Sequence, residues 1–230
     1  MPRPPILNPQ AIPVVATDLH LPAVAGERLT ADALRARFAR GGDWQPEIPG
    51  DGRVLRQAPS AASVLVPLVQ RPDGLHVLLT RRTDHLRDHA GQISFPGGRA
   101  EAHDADVVAT ALRETEEEVG LPAAQVEVIG RLPVYTTITN FVVTPVVGLV
   151  RPGFDLKTDP HEVAEVFEVP LAWLMDPSKH QRHAVEIDGL RREFISIPWP
   201  GVDDQGQPRR YFIWGATAAM LRNLYRFLSA

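Results

Sequence analysis

The sequence predicts an α/β (α+β) fold, a mixed β-sheet between helices, and three observations carry that expectation. Strand-like runs rich in Val, Ile and Leu recur from Ala61 to Ile197. One strongly patterned helix interrupts them between Asp104 and Gly120, and a second helical pattern closes the chain after Tyr211. Strands interleaved with a central and a terminal helix require helices on both faces of a sheet.

Residues 1–59 form a proline-rich arm of weak pattern. Within it, Leu29 to Gly41 has helical spacing, with Thr30 as cap and Gly41 as stop. The arm could pack on the domain or on the other subunit of a homodimer, and the pattern leaves both open. A single domain is expected over residues 60–230. It opens with two β-rich runs, Ala61 to Gln70 and Leu75 to Arg82, joined by Arg71-Pro72-Asp73-Gly74, which is hairpin chemistry. A short strand from Gln92 to Phe95 leads into the turn Pro96-Gly97-Gly98. After the central helix come strands Val126 to Val134, Phe141 to Val150 and Val163 to Leu171, the last running into a short helix, Ala172 to Met175. His183 to Ile187 and Glu193 to Ile197 flank Asp188-Gly189 as a further hairpin, and Tyr211 to Ser229 carries apolar residues at helical spacing.

Composition narrows the class. The chain has 230 residues, 44% hydrophobic and 23% charged, which suits a globular protein. A net charge of -4 argues against a general nucleic-acid binder, and the absence of cysteine removes disulfide and thiolate chemistry. The N-terminal stretch is broken by prolines and has no apolar signal core, and the apolar run from Phe141 to Val150 is too short to span a bilayer. The expectation is a cytoplasmic protein with a small-molecule substrate and neither nucleic-acid nor membrane partners.

The chemistry concentrates on the central helix. At about 100° per residue, Val108, Leu112, Thr115 and Val119 fall on one stripe, while Glu114, Glu117 and Glu118 share another face. Asp104 is the expected N-cap, with Asp106 in the first turn and Gly120 and Pro122 as the stop. Carboxylates three and four apart on a helix repel one another by a few tenths of a kcal/mol per pair, and a hard divalent cation would offset that.

Gly98, Arg113, Glu114, Glu117, Glu118, Gly120 and Leu121 match the Nudix box, G-x5-E-x7-R-E-U-x-E-E-x-G-U with U aliphatic, so the chain resembles the Nudix hydrolase superfamily. Two positions depart: Asp104 fills the first acidic slot, with eight residues rather than seven between it and Arg113, and Thr115 fills an aliphatic slot. Upstream, Leu78, Leu79, Thr80, Arg82, Leu86, Arg87, His89, Gly91, Phe95, Pro96, Gly97 and Gly98 match the signature of the coenzyme A pyrophosphatase branch. That branch shares the aspartate shift inside the box.

The resemblance implies an α/β/α sandwich and Mg²⁺- or Mn²⁺-dependent hydrolysis of a diphosphate linkage. For coenzyme A the products would be 3',5'-ADP and 4'-phosphopantetheine. It assigns the metal to Glu114, Glu117, Glu118 and the Gly97 carbonyl, and makes Arg113 a residue that fixes a box glutamate. Arg81, Arg82, Arg87 and His89 would meet the substrate phosphates, since the arginine fork donates paired hydrogen bonds to such groups. Glu162 is the first choice for general base and Glu165 the second. Alternatives that keep the same box are hydrolysis of another nucleoside diphosphate derivative, such as ADP-ribose or a dinucleotide, and a non-catalytic ligand-sensing domain. An isomerase on a related scaffold would need an active-site cysteine.

Overall fold

In a computed structural model, residues 6, 8–52, 58–85, 91–187 and 189–230 are described. The elements in order are β1 (Val14–Thr17), α1 (Ala31–Arg40), β2 (Ser60–Arg71), β3 (Gly74–Arg82), β4 (Ile93–Ser94), β5 (Gly97–Arg99) and α2 (Val107–Val119). There follow β6 (Val126–Arg131), β7 (Tyr135–Thr136), β8 (Phe141–Val150), β9 (Val163–Pro170), α3 (Leu171–Leu174), β10 (Gln181–Ile187), β11 (Leu190–Val202), β12 (Pro208–Trp214) and α4 (Gly215–Ser229).

Among the described residues the strands form an eight-stranded and a four-stranded sheet. The larger runs β4-β3-β2-β8-β6, with β5 also on β2, β7 on β8 and β9 on β3. Its centre is a parallel pair, β2 with β8, in register from Ser60–Phe141 to Val69–Val150. A parallel pair buried on both faces calls for near-continuous apolar strands, and these two segments are the most continuously apolar of the chain. β9 instead alternates buried and more exposed positions along its length.

Side-chain alternation then divides the core in two. Leu65, Val69, Leu78, Val146 and Val150 face α2 and meet its Ala111 and Val119. Val66, Leu68, Leu79, Phe167 and Val169 face the other way, toward Leu221 and Leu224 of α4 and Tyr211 and Ile213 of β12. The mixed sheet is thus covered on both faces.

The smaller sheet, β1-β10-β11-β12, joins the expected hairpin to two strands, β1 and β12, that the strand pattern did not announce. The expected hairpin is present as β10 against β11, although Asp188 of its turn lies outside the described residues. Tyr211 to Trp214, expected to open the terminal helix, belong to β12 and pair with Ser196 to Trp199. They are apolar because Tyr211 and Ile213 face the core, and the helix starts only at Gly215. No helix among the described residues is long and apolar enough to cross a membrane.

A buried ionic cluster ties the N-terminal segment to the far end of the chain. Arg222 of α4, fully buried, donates to Glu47 at 2.7 Å and pairs with Asp18 at 3.0 Å. Arg182 of β10 joins the same two carboxylates, at 2.9 Å to Asp18 and 2.6 Å to Glu47, and Arg226 reaches Glu47 at 2.6 Å. Burial alone would raise the Glu47 carboxyl, but hydrogen bonds from Arg222, Arg182 and Arg226 outweigh it and hold it at about 2.

His180 closes this cluster. Its Nδ1 lies 3.1 Å from the Arg222 guanidinium and its Nε2 lies 2.8 Å from the Leu174 carbonyl. Because arginine only donates and a carbonyl only accepts, these contacts select the neutral tautomer with the proton on Nε2. Burial holds His180 down at about 4 from 6.5. Between those values the unfolded chain binds a proton that the folded chain refuses, so the contribution is complete above pH 6.5 and is lost as pH falls toward 4. Urea titrations should show the wild type losing about 2 kcal/mol more than His180→Gln between pH 7 and pH 5. Equal losses in the two proteins would disprove this account.

Candidate active site

The site is assembled by the two ends of α2 and by the strand edges that receive them. Asp106, not Asp104, is the N-cap: its carboxylate accepts from the N–H groups of Val108 and Ala109, both at 2.8 Å. Both aspartates are acceptable caps by residue type, and Asp104 is drawn away by a stronger partner. It binds Arg113 through two hydrogen bonds of 2.9 and 3.0 Å and accepts from Thr110 at 2.9 Å. Those bonds, led by Arg113, keep the Asp104 carboxyl far below the usual range. The shifted acid of the box therefore clamps Arg113 from behind.

Arg113 is the hub of the helix's outer face. Besides Asp104 it donates to Glu117 at 3.0 Å and to the Arg99 carbonyl at 3.2 Å, and it pairs with Glu114 at 3.0 Å. Its planar fork thus holds two box glutamates at once. Glu117 is largely exposed, whereas Glu114 is covered, and burial raises the Glu114 carboxyl despite Arg113. Glu114 lies against Gly98, where a Cβ would displace its carboxylate.

Glu118 is the most enclosed acid of the set, 6% exposed. Its carboxylate accepts from the Gly97 N–H at 3.1 Å and stands 3.7 Å from Arg82. Gly97 has φ of 149° and pairs with Val64 of β2, and a Cβ would run into the Val64 backbone. Burial pushes Glu118 up to about 7 against the pull of the Gly97 N–H and Arg82, and the negative charges of Glu162 and Glu114 add to the rise.

Glu162 arrives from the loop before β9. Thr83 donates from its N–H to the Glu162 carbonyl at 3.0 Å and from its hydroxyl to the His161 carbonyl at 2.9 Å. The carboxylate, half exposed, stands 3.7 Å from Arg82, so one guanidinium lies between Glu162 and Glu118. The end of α2 is tied to the same loop by Lys157 N–H to Val119 carbonyl and Asp159 N–H to Glu118 carbonyl, both 2.9 Å.

Glu165 is elsewhere. It is buried with Phe167 on the opposite face of the sheet, and its two oxygens accept from the Tyr211 hydroxyl and, at 2.5 Å, from Arg209. Arg81 stands beside it, 3.4 Å away, and pairs with Asp84 at 3.2 Å. A carboxylate so occupied is closed to a water, which leaves Glu162 and the box glutamates for proton transfer. Arg87 and His89 lie outside the described residues.

Among the described residues no three acidic or imidazole groups converge closely enough to enclose an ion. The donor chemistry nevertheless fits a hard divalent cation. Glu114, Glu118 and Glu162 sense one another's charge, with Glu118 at the Gly97 N–H, Glu114 against Gly98 and Glu162 across Arg82. Among the described residues, Asp104, Glu114, Glu117, Glu118 and Glu162 meet the guanidinium groups of Arg113 and Arg82, with His103 3.9 Å from Asp104, so the carboxylates outnumber the arginines.

Sequence reasoning missed the clamp of Asp104 on Arg113 and the arrival of Arg209 and Tyr211 from the second sheet. The first had a signal, since Asp104 sits in the box's acidic slot; the second had none.

Comparison with known proteins agrees with this geometry. Residues 59–189 match the family NUDIX domain. A protein of Escherichia coli O1:K1 / APEC named "Uncharacterized Nudix hydrolase NudL" is 42% identical over 197 residues, covering 85% of this chain and 93% of its own length. A protein of the same name from Salmonella heidelberg (strain SL476) is 41% identical over 198 residues, 86% of this chain and 94% of its own. Among solved structures, an Ap4A hydrolase of C. elegans in a binary complex has a TM-score of 0.42 at 19% identity, over 48% of this chain and 80% of that one. The MutT protein from Methanosarcina mazei Go1 has a TM-score of 0.42 at 24% identity, over 53% and 83%. The chain therefore belongs to the NUDIX domain family, as a Nudix hydrolase.

Proposed function

We propose that this Nudix hydrolase cleaves the diphosphate of coenzyme A or its acyl derivatives, giving 3',5'-ADP and the (acyl-)4'-phosphopantetheine. The observation that carries the reading is Arg82, a residue of the coenzyme A signature, held between the box acid Glu118 and the loop acid Glu162.

Glu114, Glu117 and Glu118, with the Gly97 carbonyl, would hold Mg²⁺ or Mn²⁺. Such an ion supplies neutralisation of the diphosphate charge and a more acidic water. Arg113 fixes the rotamers of Glu114 and Glu117 through its anchor on Asp104. Glu162, half exposed beside Arg82, accepts the proton of the attacking water at its carboxylate. Water oxygen bonds to one phosphorus as the bond from that phosphorus to the bridging oxygen breaks. Arg81, Arg82, Arg87 and His89 bind the anionic oxygens of the substrate.

The test is product analysis with coenzyme A, ADP-ribose and a dinucleotide offered side by side, with Mg²⁺ or Mn²⁺ and with chelator. The expected result is 3',5'-ADP and phosphopantetheine from coenzyme A, abolished by chelator. Faster turnover of ADP-ribose or the dinucleotide moves the substrate to that class. Binding without turnover of any of them marks a sensing domain.

A further inference from the structure

Adjacent residues on a strand point to opposite faces, and β3 ends on two arginines. Arg82 turns toward α2, to Glu118 and Glu162, while Arg81 turns toward the second sheet, to Glu165. Glu165 pairs with Arg81 in the β9–β3 register, so the two side chains leave neighbouring strands on one face. The carboxylate is 5% exposed and is held by two groups of β12, the Tyr211 hydroxyl and Arg209 at 2.5 Å. Tyr211 is fixed in turn by stacking on Phe167, ring centroids 3.9 Å apart. The other charged groups facing this cluster are Asp84, which is exposed and pairs with Arg81, and Asp203, 4.0 Å from Arg209. The Nε atoms of Arg81 and Arg82 are buried donors without a hydrogen-bond partner among the described residues.

We propose that Glu165 is a positioning residue for substrate binding: braced by Tyr211 and Arg209 of the second sheet, it sets the Arg81 guanidinium to receive an anionic oxygen of a diphosphate substrate. The four-stranded sheet thereby takes part in recognition, although β11 and β12 lie beyond residues 59–189 of the family match. Both oxygens of the Glu165 carboxylate are committed to side chains of β12, and its further ion-pair partner among the described residues is Arg81, at the end of β3. Fixing a long side chain in advance removes the entropy that binding would otherwise lose. The inference rests on Arg81 contacting substrate, as proposed above.

The test is a double-mutant cycle on Arg81→Ala and Glu165→Gln, with Tyr211→Phe as the mild variant that keeps the ring stack. KM for whichever diphosphate is turned over, and the Kd of 3',5'-ADP by calorimetry, are measured on proteins whose thermal unfolding has been checked. Arg81→Ala should raise both constants about tenfold to hundredfold with kcat little changed. Glu165→Gln should approach that loss, Tyr211→Phe should give part of it, and the double variant should add little to Arg81→Ala alone. Fully additive losses, or a Glu165→Gln protein with wild-type KM and Kd beside a weakened Arg81→Ala, would overturn the positioning role. An Arg81→Ala protein with wild-type KM and Kd would instead show that the assignment of Arg81 to the substrate is wrong.

Discussion

Glu118→Gln should reduce kcat by roughly 10²- to 10⁴-fold while leaving the protein folded, because a carboxylate at the reacting centre acts on the chemical step. The substitution keeps the shape of the side chain and removes the charge that, in the proposed function, would hold a cation at the Gly97 turn. The Gly97 N–H keeps an acceptor, since the amide oxygen of Gln replaces one carboxylate oxygen. Glu118 is nearly buried and burial holds it near 7, so a neutral replacement costs little in the resting fold. Stopped assays at saturating Mg²⁺, together with circular dichroism, would measure both sides of the statement. A kcat within a factor of about ten of wild type would remove Glu118 from the chemistry, since one catalytic carboxylate is worth more than that. Glu162→Gln separates the two acids: if Glu162 takes the proton from water, its loss flattens the acid limb of the pH–rate profile.

Arg222→Met should destabilise the protein by about 3–5 kcal/mol, the usual cost of removing one partner from a buried ion pair. Asp18 and Glu47 would remain in place beside Arg182 and Arg226, but Asp18 is 5% exposed and would lose its 3.0 Å contact. For a chain of this length that corresponds to a Tm lowered by roughly 6–20 °C. Differential scanning calorimetry at pH 7 would decide it, and a Tm within about 2 °C of wild type would mean the cluster contributes almost nothing. Activity in the folded fraction should persist, because Arg222 packs against the N-terminal segment and His180.

How much of this was legible in advance depended on how local each signal was. Phe141–Val150 carries continuous apolar residues, so its strand has the bounds the pattern assigned. Thr30 capped its helix as expected. Glu114 and Glu117 lie on the outer face of α2 with Arg113, as the helical angles assign, whereas Glu118 at the edge of that arc turns inward to the Gly97 N–H. The cap of that helix was harder, since Asp104 and Asp106 are equally good by type, and only the position of Arg113 in space decides between them. The inner stripe was partly right: Thr115 and Val119 are buried, whereas Val108 and Leu112 sit at the edge of the core. In the second sheet the β10–β11 hairpin was legible, whereas β12 reads in sequence as the start of the terminal helix and β1 depends on pairing with a distant segment. Val14–Thr17 is a short, exposed strand that exists only against β10. Glu165 was expected as a second base because it follows Glu162 closely in sequence. The β9–β3 register slips between the Arg82–Val163 and Arg81–Glu165 pairs, which turns Glu165 to the opposite face from Val163, and Tyr211 and Arg209 wait there.

The ionic cluster also sets an order of events during synthesis. Glu47 and Arg222 are 175 residues apart. At about 5–20 residues per second, Glu47 has been out of the ribosome for roughly 10–35 s before its arginine on α4 exists. Residues 60–170, which build the large sheet and carry Glu114, Glu117, Glu118 and Glu162, emerge within that interval. Asp18 and Glu47 meanwhile stay hydrated, which costs nothing while they remain outside a core. The large sheet can therefore form first, with contacts such as Arg35 to Glu127 already available to the N-terminal segment, and the ionic latch through Glu47 closes when the C-terminal helix arrives.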